Sequence, residues 1–391
     1  MLLIYRRDDQ VRSYKGILKY TTMPIYMDRH DVSEEVTAEA VAHLHQEDLK
    51  IQHKFNCKGL TYWFDDTRKT AFCLVEAPDK QSLIDMHNSA HGVIPHRIIE
   101  VEPTIVESFL GRIEDPEKSK NAKLNIINEP AFRTIMMTGL EQLSYLDNEI
   151  QQLQQSINKL NKSISNTILT FKGRVVNQKG DYFLVSFNSV SNAIKCAVQV
   201  QKDFNKWKEK NDVDIIKLKT GLSAGVPVSD KKSVFEDTIK RAERLYYISK
   251  AKIMVTNEVK ELYQSENQNA SIQKDAINQI SPNDEDLLHS LMDYLELVWK
   301  DHSFRSNDLC NELSLSKSNL YRKMVSITGK SPNAFIKDFR LNRALSYMYS
   351  KKGNISEIAF ETGFGSPSYF TKCFQQKYGV SPTDYLQMLD N

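Results

Sequence analysis

Ser316-Lys-Ser-Asn-Leu-Tyr-Arg-Lys-Met324, followed by Gly329 and Ser331-Pro332, returns in outline 50 residues later as Ser366-Pro-Ser-Tyr-Phe-Thr-Lys-Cys-Phe374, followed by Gly379 and Ser381-Pro382. A repeat of that period marks a repeated supersecondary unit. In the first copy, Ser306 caps a short helix whose Leu309 and Leu313 face inward, and Ser314-Leu-Ser316 makes a turn. Ser316 then caps a second helix to about Ile327, with Leu320 and Met324 turned inward. Lys317, Ser318, Asn319, Arg322 and Lys323 are left on its outer side. The second copy opens at Ile355, and Gly363 supplies the residue that a tight turn needs. Its second helix runs from Ser366 to about Lys377, with Phe370 and Phe374 inward and Pro367, Ser368, Tyr369 and Lys372 outward. The pattern predicts two helix-turn-helix units joined by a long helix over 332–350 and preceded by one over 283–300. Polar side chains at the start of an exposed helix suit base edges, and neighbouring Lys and Arg suit phosphates. Lys323, Lys330 and Lys377 are the expected phosphate contacts.

The charge supports this placement. The whole chain of 391 residues carries a net charge of only +2, but residues 300–380 hold 13 Lys and Arg against 6 Asp and Glu. That local excess fits an electrostatic footprint for phosphate, and with the two helix-turn-helix units the expected partner is double-stranded DNA. Mean hydropathy is −0.48, and no apolar run approaches a membrane span. The five cysteines are scattered without a CxxC pair, which predicts reduced thiols in a cytoplasmic protein.

Working towards the N-terminus, polar stretches divide the chain. The reading is a tail over 1–22, an α/β domain over 23–112, a linker over 113–130, a second α/β domain over 131–263, a linker over 264–282 and the helical domain over 283–391. The fold class is therefore multidomain: two α+β domains, then an all-α double helix-turn-helix domain. A Ser, Asn and Gln-rich linker at 264–282 reads as flexible. In 23–112 the order strand, helix, strand, strand, helix, strand is ferredoxin-like, with the closing strands placed at 98–101 and 106–110. This domain holds seven of the nine histidines, and His87 and His91 sit i,i+4 on one helix. Paired imidazoles suit nickel, zinc or copper.

Tyr26-Met-Asp-Arg-His30, Leu60-Thr-Tyr-Trp-Phe-Asp65, Phe72-Cys-Leu-Val-Glu-Ala-Pro78 and Ile98-Ile-Glu-Val101 resemble a family of small bacterial nickel-binding domains with a ferredoxin-like fold. The resemblance implies His30, His45, His87 and His91 as ligands and nickel as the preferred ion. Imidazole ligands alone do not name the metal, because copper binds nitrogen sites more tightly.

Gly173 through Phe187, Ala193 to Gln201, Thr220-Gly-Leu-Ser-Ala-Gly225 and Asp237 to Leu245 resemble the catalytic domain of class III adenylate and guanylate cyclases. Two metal-binding carboxylates are implied there. One maps to Asp181, while the other falls in Met136–Leu140, where Gly139 stands. The implied Asn–Arg pair maps to Lys240 and Arg244, and the purine-reading Lys maps to Asn177. The expectation is a degenerate domain without enzyme activity, in which Asp181 and Arg244 line a nucleotide-like pocket. The competing expectation is an active cyclase fused to a DNA-binding domain. Cyclase sites form between two such domains, so a homodimer through the upstream domains is expected.

Ile355, Ala359, Gly363-Phe, Ser366, Tyr369-Phe, Phe374, Gly379, Ser381-Pro382 and Tyr385 resemble the AraC-type transcription regulators. By that resemblance Ser318, Asn319 and Arg322, with Pro367, Ser368 and Lys372, reach the major groove. The resemblances together imply a sequence-specific regulator with upstream domains that sense a metal ion or a nucleotide-like ligand.

Overall fold

The computed structural model describes residues 23–117, 124–142, 147–179, 182–250, 252–267, 277–350 and 352–390. The expected tail over 1–22 and Asp181 lie outside them.

The first sheet is built from β1 (Ile25–Asp31), β2 (Lys58–Asp65), β3 (Thr70–Glu76) and β4 (Arg97–Glu100), in the order β2-β3-β1-β4. All its pairings are antiparallel. Helices α1 (Ala38–Ile51) and α2 (Lys80–Ala90) complete the ferredoxin-like pattern. Each starts on a side-chain cap: Thr37 accepts from Ala40 N and Asp79 from Ser82 N. Strand alternation divides the side chains between two faces. Tyr26, Ala71, Cys73 and Val75 pack with Val41, Leu83 and Met86 of the helices. Met27, Phe72 and Leu74 face the other way, towards the next domain.

The strand expected at 106–110 is instead part of helix α3 (Pro103–Leu110). Pro103 at its first turn pre-sets the helical φ, and Val106, Phe109 and Leu110 bury one face at helical spacing. Gly111, at φ 90°, ends it. The described part of the expected linker at 113–130 is fixed to the first sheet. Tyr62 Oη donates to Asn125 O at 2.9 Å and accepts from Ile127 N at 2.8 Å.

The second sheet is larger. It contains β5 (Arg133–Gln142), β6 (Arg174–Lys179), β7 (Tyr182–Phe187), β8 (Ile216–Gly225), β9 (Ile253–Val255) and β10 (Ile277–Gln279), in the order β10-β9-β8-β5-β7-β6. Helices α4 (Asp147–Thr170), α5 (Val190–Asn211) and α7 (Asn257–Glu266) cover one face through Leu160, Ile164 and Ile168, with Val200 and Val259. The opposite face receives α6 (Glu236–Ile248) and the first domain, where Ile135, Met137 and Leu184 meet Met27, Phe72 and Phe109. Gly221 lets α6 approach closely, since a Cβ there would lie 2.3 Å from Ala242 O.

The expected flexible linker at 264–282 differs from the structure at both described ends. α7 continues to Glu266, and β10 adds a strand parallel to β9. Seven helices follow: α8 (Pro282–Val298), α9 (Ser306–Glu312), α10 (Lys317–Thr328), α11 (Pro332–Tyr349), α12 (Ile355–Glu361), α13 (Pro367–Tyr378) and α14 (Pro382–Asp390). The 50-residue repeat is also a repeat of ends. Ser316 and Ser366 cap α10 and α13, and Gly329 and Gly379 close them at φ 73° and 78°. Gly363, at φ 77°, sits so near Trp299 O that a Cβ would lie 2.3 Å from it.

The helical domain is seated on α6. Leu245 and Ile248 share a core with Leu288, Leu291 and Leu295 of α8. The Tyr247 ring contacts Phe335 and Phe339, and Asn342 Nδ2 donates to its hydroxyl at 3.2 Å.

Candidate functional site

Two constellations emerge, one on the helical domain and one in the first domain. On α10, Leu320 and Met324 are buried while Ser318 and Arg322 are exposed, as the spacing predicted. On α13, Phe370 and Phe374 are buried while Ser368, Tyr369 and Lys372 are exposed. Asn319, Lys323 and Pro367 are half-buried. Lys323 Nζ lies 4.0 Å from Asp284 Oδ1. Among the described residues Arg322 and Lys372 have no ion-pair partner, so both cations are free to meet phosphate or bases. Sequence reasoning passed over Tyr321, whose ring is 54% exposed on the outer side of α10. An aromatic outside the Leu320/Met324 series was the available signal.

Two lysines expected on phosphate are engaged by α11, Lys377 half-buried and Lys330 still exposed. Lys377 Nζ donates to Asn342 Oδ1 at 2.8 Å, and Lys330 pairs with Asp338. Burial pulls the Lys377 pKa down to about 8, with Lys330 adding repulsion and Asp338 opposing it. The reason is the long helix α11, which carries Asp338 and Asn342 beneath both units.

The second constellation lies between the first sheet and its helices. His87 on α2 is 1% exposed and sits between two carboxylates. Its Nδ1 is 3.0 Å from Asp48 Oδ1 and its Nε2 is 3.0 Å from Asp28 Oδ2. His30 Nε2 is 3.3 Å from Asp28 Oδ1, and His91 Nε2 is 3.2 Å from Asp48 Oδ1. Val93 N donates to His91 Nδ1 at 3.1 Å, which puts the proton of a neutral His91 ring on Nε2. Ligand atoms of Asp28, His30, Cys73 and His87 lie within 4.8 Å of one another, and so do those of Asp48, His87 and His91.

The structure thus brings together His30, His87 and His91 of the four expected histidines. His45 lines the same small cavity, of about 30 Å³, but its Nε2 faces Asp115 Oδ2 at 3.3 Å. Asp28, Asp48 and Cys73 were missed. Asp28 stood two residues before His30 on a strand, and that i,i+2 relation was the signal.

Burial opposes charge throughout, and the pairing outweighs it. His30 and His87 hold the Asp28 carboxyl well below the usual carboxylate range. Burial disfavours an imidazolium at His87, yet Asp28 and Asp48 push its pKa up to about 10. Burial and Asp28 push the Cys73 thiol well up, which leaves imidazoles and carboxylates as the donors, and an ion would have to displace the protons that His87 and His91 hold against Asp28 and Asp48. His30 Nδ1 is buried with no hydrogen-bond partner, and the cavity admits one water-sized or ion-sized occupant. This nitrogen-rich, partly anionic donor set fits a divalent transition metal ion.

In the second domain, Arg244 is 3% exposed and faces the helical domain. Its guanidinium donates to His289 and pairs with Asp293 of α8. Lys240 Nζ is bonded to Glu236 Oε1 at 2.8 Å. Among the described residues, no helix is long and apolar enough to cross a membrane.

Residues 309–388 match the family model described as helix-turn-helix domain, and residues 26–101 match the one described as nickel responsive protein SCO4226-like. The chain is 38% identical over 106 residues to "Histidine kinase P4" of Formosa agariphila, covering 27% of this chain and 8% of that protein. It is 29% identical over 90 residues to "HTH-type transcriptional activator RhaS" of Mannheimia succiniciproducens, covering 22% and 34%. The chain spans about a third or less of the length of these curated relatives. An adenylate/guanylate cyclase/hydrolase from Silicibacter pomeroyi is similar at 23% identity, with 34% of this chain and 82% of that one covered and a TM-score of 0.29. The chain joins an AraC-type helix-turn-helix domain to a domain like the nickel-responsive SCO4226 protein.

Proposed function

We propose that this chain is a sequence-specific DNA-binding regulator of transcription. The observation that carries the reading is the pair of capped helices α10 and α13, each presenting an unpaired cation and small polar side chains on its outer face. Ser318, Asn319, Arg322 and Lys323, with Pro367, Ser368, Tyr369 and Lys372, form its DNA surface. Tyr321 joins them. Two such helices fixed to α11 suit successive major grooves on one side of the duplex. Selection of duplexes by the full chain tests this: enrichment of one sequence supports it, and uniform retention of all sequences at low salt defeats it.

We further propose that the first domain binds a divalent metal ion, nickel by preference. His30, His87 and His91 would hold it with Asp28 or Asp48, and His45 closes the cavity. The ion would supply a positive centre that ties β1 to α2. The domain limits 23–112, 131–263 and 283–391 belong to the same reading, as does a cytoplasmic homodimer. Both faces of the second sheet are covered within the chain, so a dimer would use an edge or another surface. Active cyclisation is disfavoured by Gly139 and by the engagement of Arg244 with α8. Formation of cyclic nucleotide from ATP or GTP with magnesium or manganese, lost in Asp181→Ala, would establish the enzyme instead.

A further inference from the structure

A cleft of about 730 Å³ opens where the second domain meets the helical domain. One wall is Ile248, Lys250, Met254 and Lys260 of the second domain, with β10 alongside. The other is the start of α8 and the end of α10, through Ser326 and Ile327. Its size falls within the range of small-molecule sites, and its lining mixes apolar side chains with a few polar groups.

The charge is unbalanced. Lys260 Nζ donates to the neutral Gln279 Oε1. Lys250 reaches over the end of α10, where a Cβ on Gly329 would lie 2.2 Å from its Nζ. Among the described residues neither lysine has an ion-pair partner. The acid of the cleft, Asp284, accepts from Ser281 Oγ at 2.9 Å and lies 4.0 Å from Lys323 Nζ. Two ammonium groups against one carboxylate, beside Met254, Ile277 and Ile327, define a complementary ligand.

We propose that this cleft binds a small organic anion: an apolar body carrying one carboxylate, sulfonate or phosphate. The anion would sit between Lys250 and Lys260, and the body against Met254 and Ile327. Such an occupant touches the second domain and α10 together, so it would set how the first DNA-contacting helix is held. That last step rests on the transcription reading; binding in the cleft does not.

Titration of the full chain with 8-anilinonaphthalene-1-sulfonate, an apolar anion, tests the site without DNA. Saturable binding of one dye per chain is expected. The double variant Lys250→Ala, Lys260→Ala should weaken it by about tenfold or more while leaving the neutral dye N-phenyl-1-naphthylamine unaffected. Ser326→Trp, at an exposed position, should weaken both dyes by filling the cleft. Equal dye affinity in the wild type and the lysine variant, with circular dichroism unchanged, would overturn the proposal. So would sulfonate binding that Ser326→Trp leaves intact. A failure to select DNA would bear on the transcription reading alone.

Discussion

Arg244 Nη1 of α6 donates to His289 Nδ1 of α8 at 2.6 Å. The same guanidinium pairs with Asp293, whose side chain is 64% exposed while that of Arg244 is 4% exposed. The two ends of this pair therefore differ in what their loss would do. Arg244→Ala removes a buried side chain that joins two domains but leaves a solvated acid behind, so the expected loss is the packing alone, about 1–3 kcal/mol. Asp293→Ala leaves the buried Arg244 guanidinium without its carboxylate, and a loss of about 3–5 kcal/mol is expected. Denaturant unfolding of both variants checks the ratio. Equal losses would mean that the contact does not hold the domains together.

The histidine–carboxylate cluster calls for two different substitutions. His87→Ala strips Asp28 and Asp48 of their shared partner, so about 3–5 kcal/mol of stability should go with it. His30→Ala removes one carboxylate contact and an unpartnered nitrogen. It should lower nickel affinity by about 10–100-fold with a smaller effect on folding. Calorimetric nickel titration reads this. Binding that survives His30→Ala but disappears on replacing the exposed His43 and His53 would place the ion elsewhere.

On the DNA face, Arg322→Ala and Lys372→Ala should each cost about 1–3 kcal/mol and relax base preference at the positions they read. Lys377→Ala should leave the salt dependence of binding unchanged, because its ammonium is spent on Asn342. A salt slope reduced by about one in Lys377→Ala would return that lysine to the phosphate contacts.

Lys377 also gives a pH signature. Its pKa in the folded chain is about 8, against about 10.4 for a free lysine. The folded state binds fewer protons between these values, so stability gained from this group rises with pH across that window. Below about pH 8 the burial penalty is present in full. Relative to Lys377→Met, the wild type should gain on the order of 1–3 kcal/mol from pH 8 to 10.5. Parallel pH curves for the two proteins would show that the ammonium is solvated.

Much of this architecture was readable in the residues. Caps and apolar spacing located α10 and α13, and strand alternation located the first sheet. Val106, Phe109 and Leu110 misled because a short apolar run carries no clear period; Pro103 and Gly111 held the answer. Polar composition suggested loose linkers, but Tyr62 pins one and β10 adds part of the other to a sheet. At the histidine–carboxylate cluster, histidines were visible as chemistry, whereas Asp28 and Asp48 resembled any other acid. Only the fold shows that each is buried against an imidazole. Arg244 and Lys377 have partners within the chain that the sequence hides, since a cation looks available until the carboxylate or carbonyl beside it is known.

Strand β1 carries Asp28 towards the cluster and Met27 towards the second domain, with Arg29 Nη1 donating to Val228 O at 3.4 Å. A one-residue insertion in this strand would exchange the two faces. The histidine–carboxylate cluster and the docking of the domain would then fail in a single event. Their histories are consequently tied: neither trait can be remodelled through β1 without selection acting on the other.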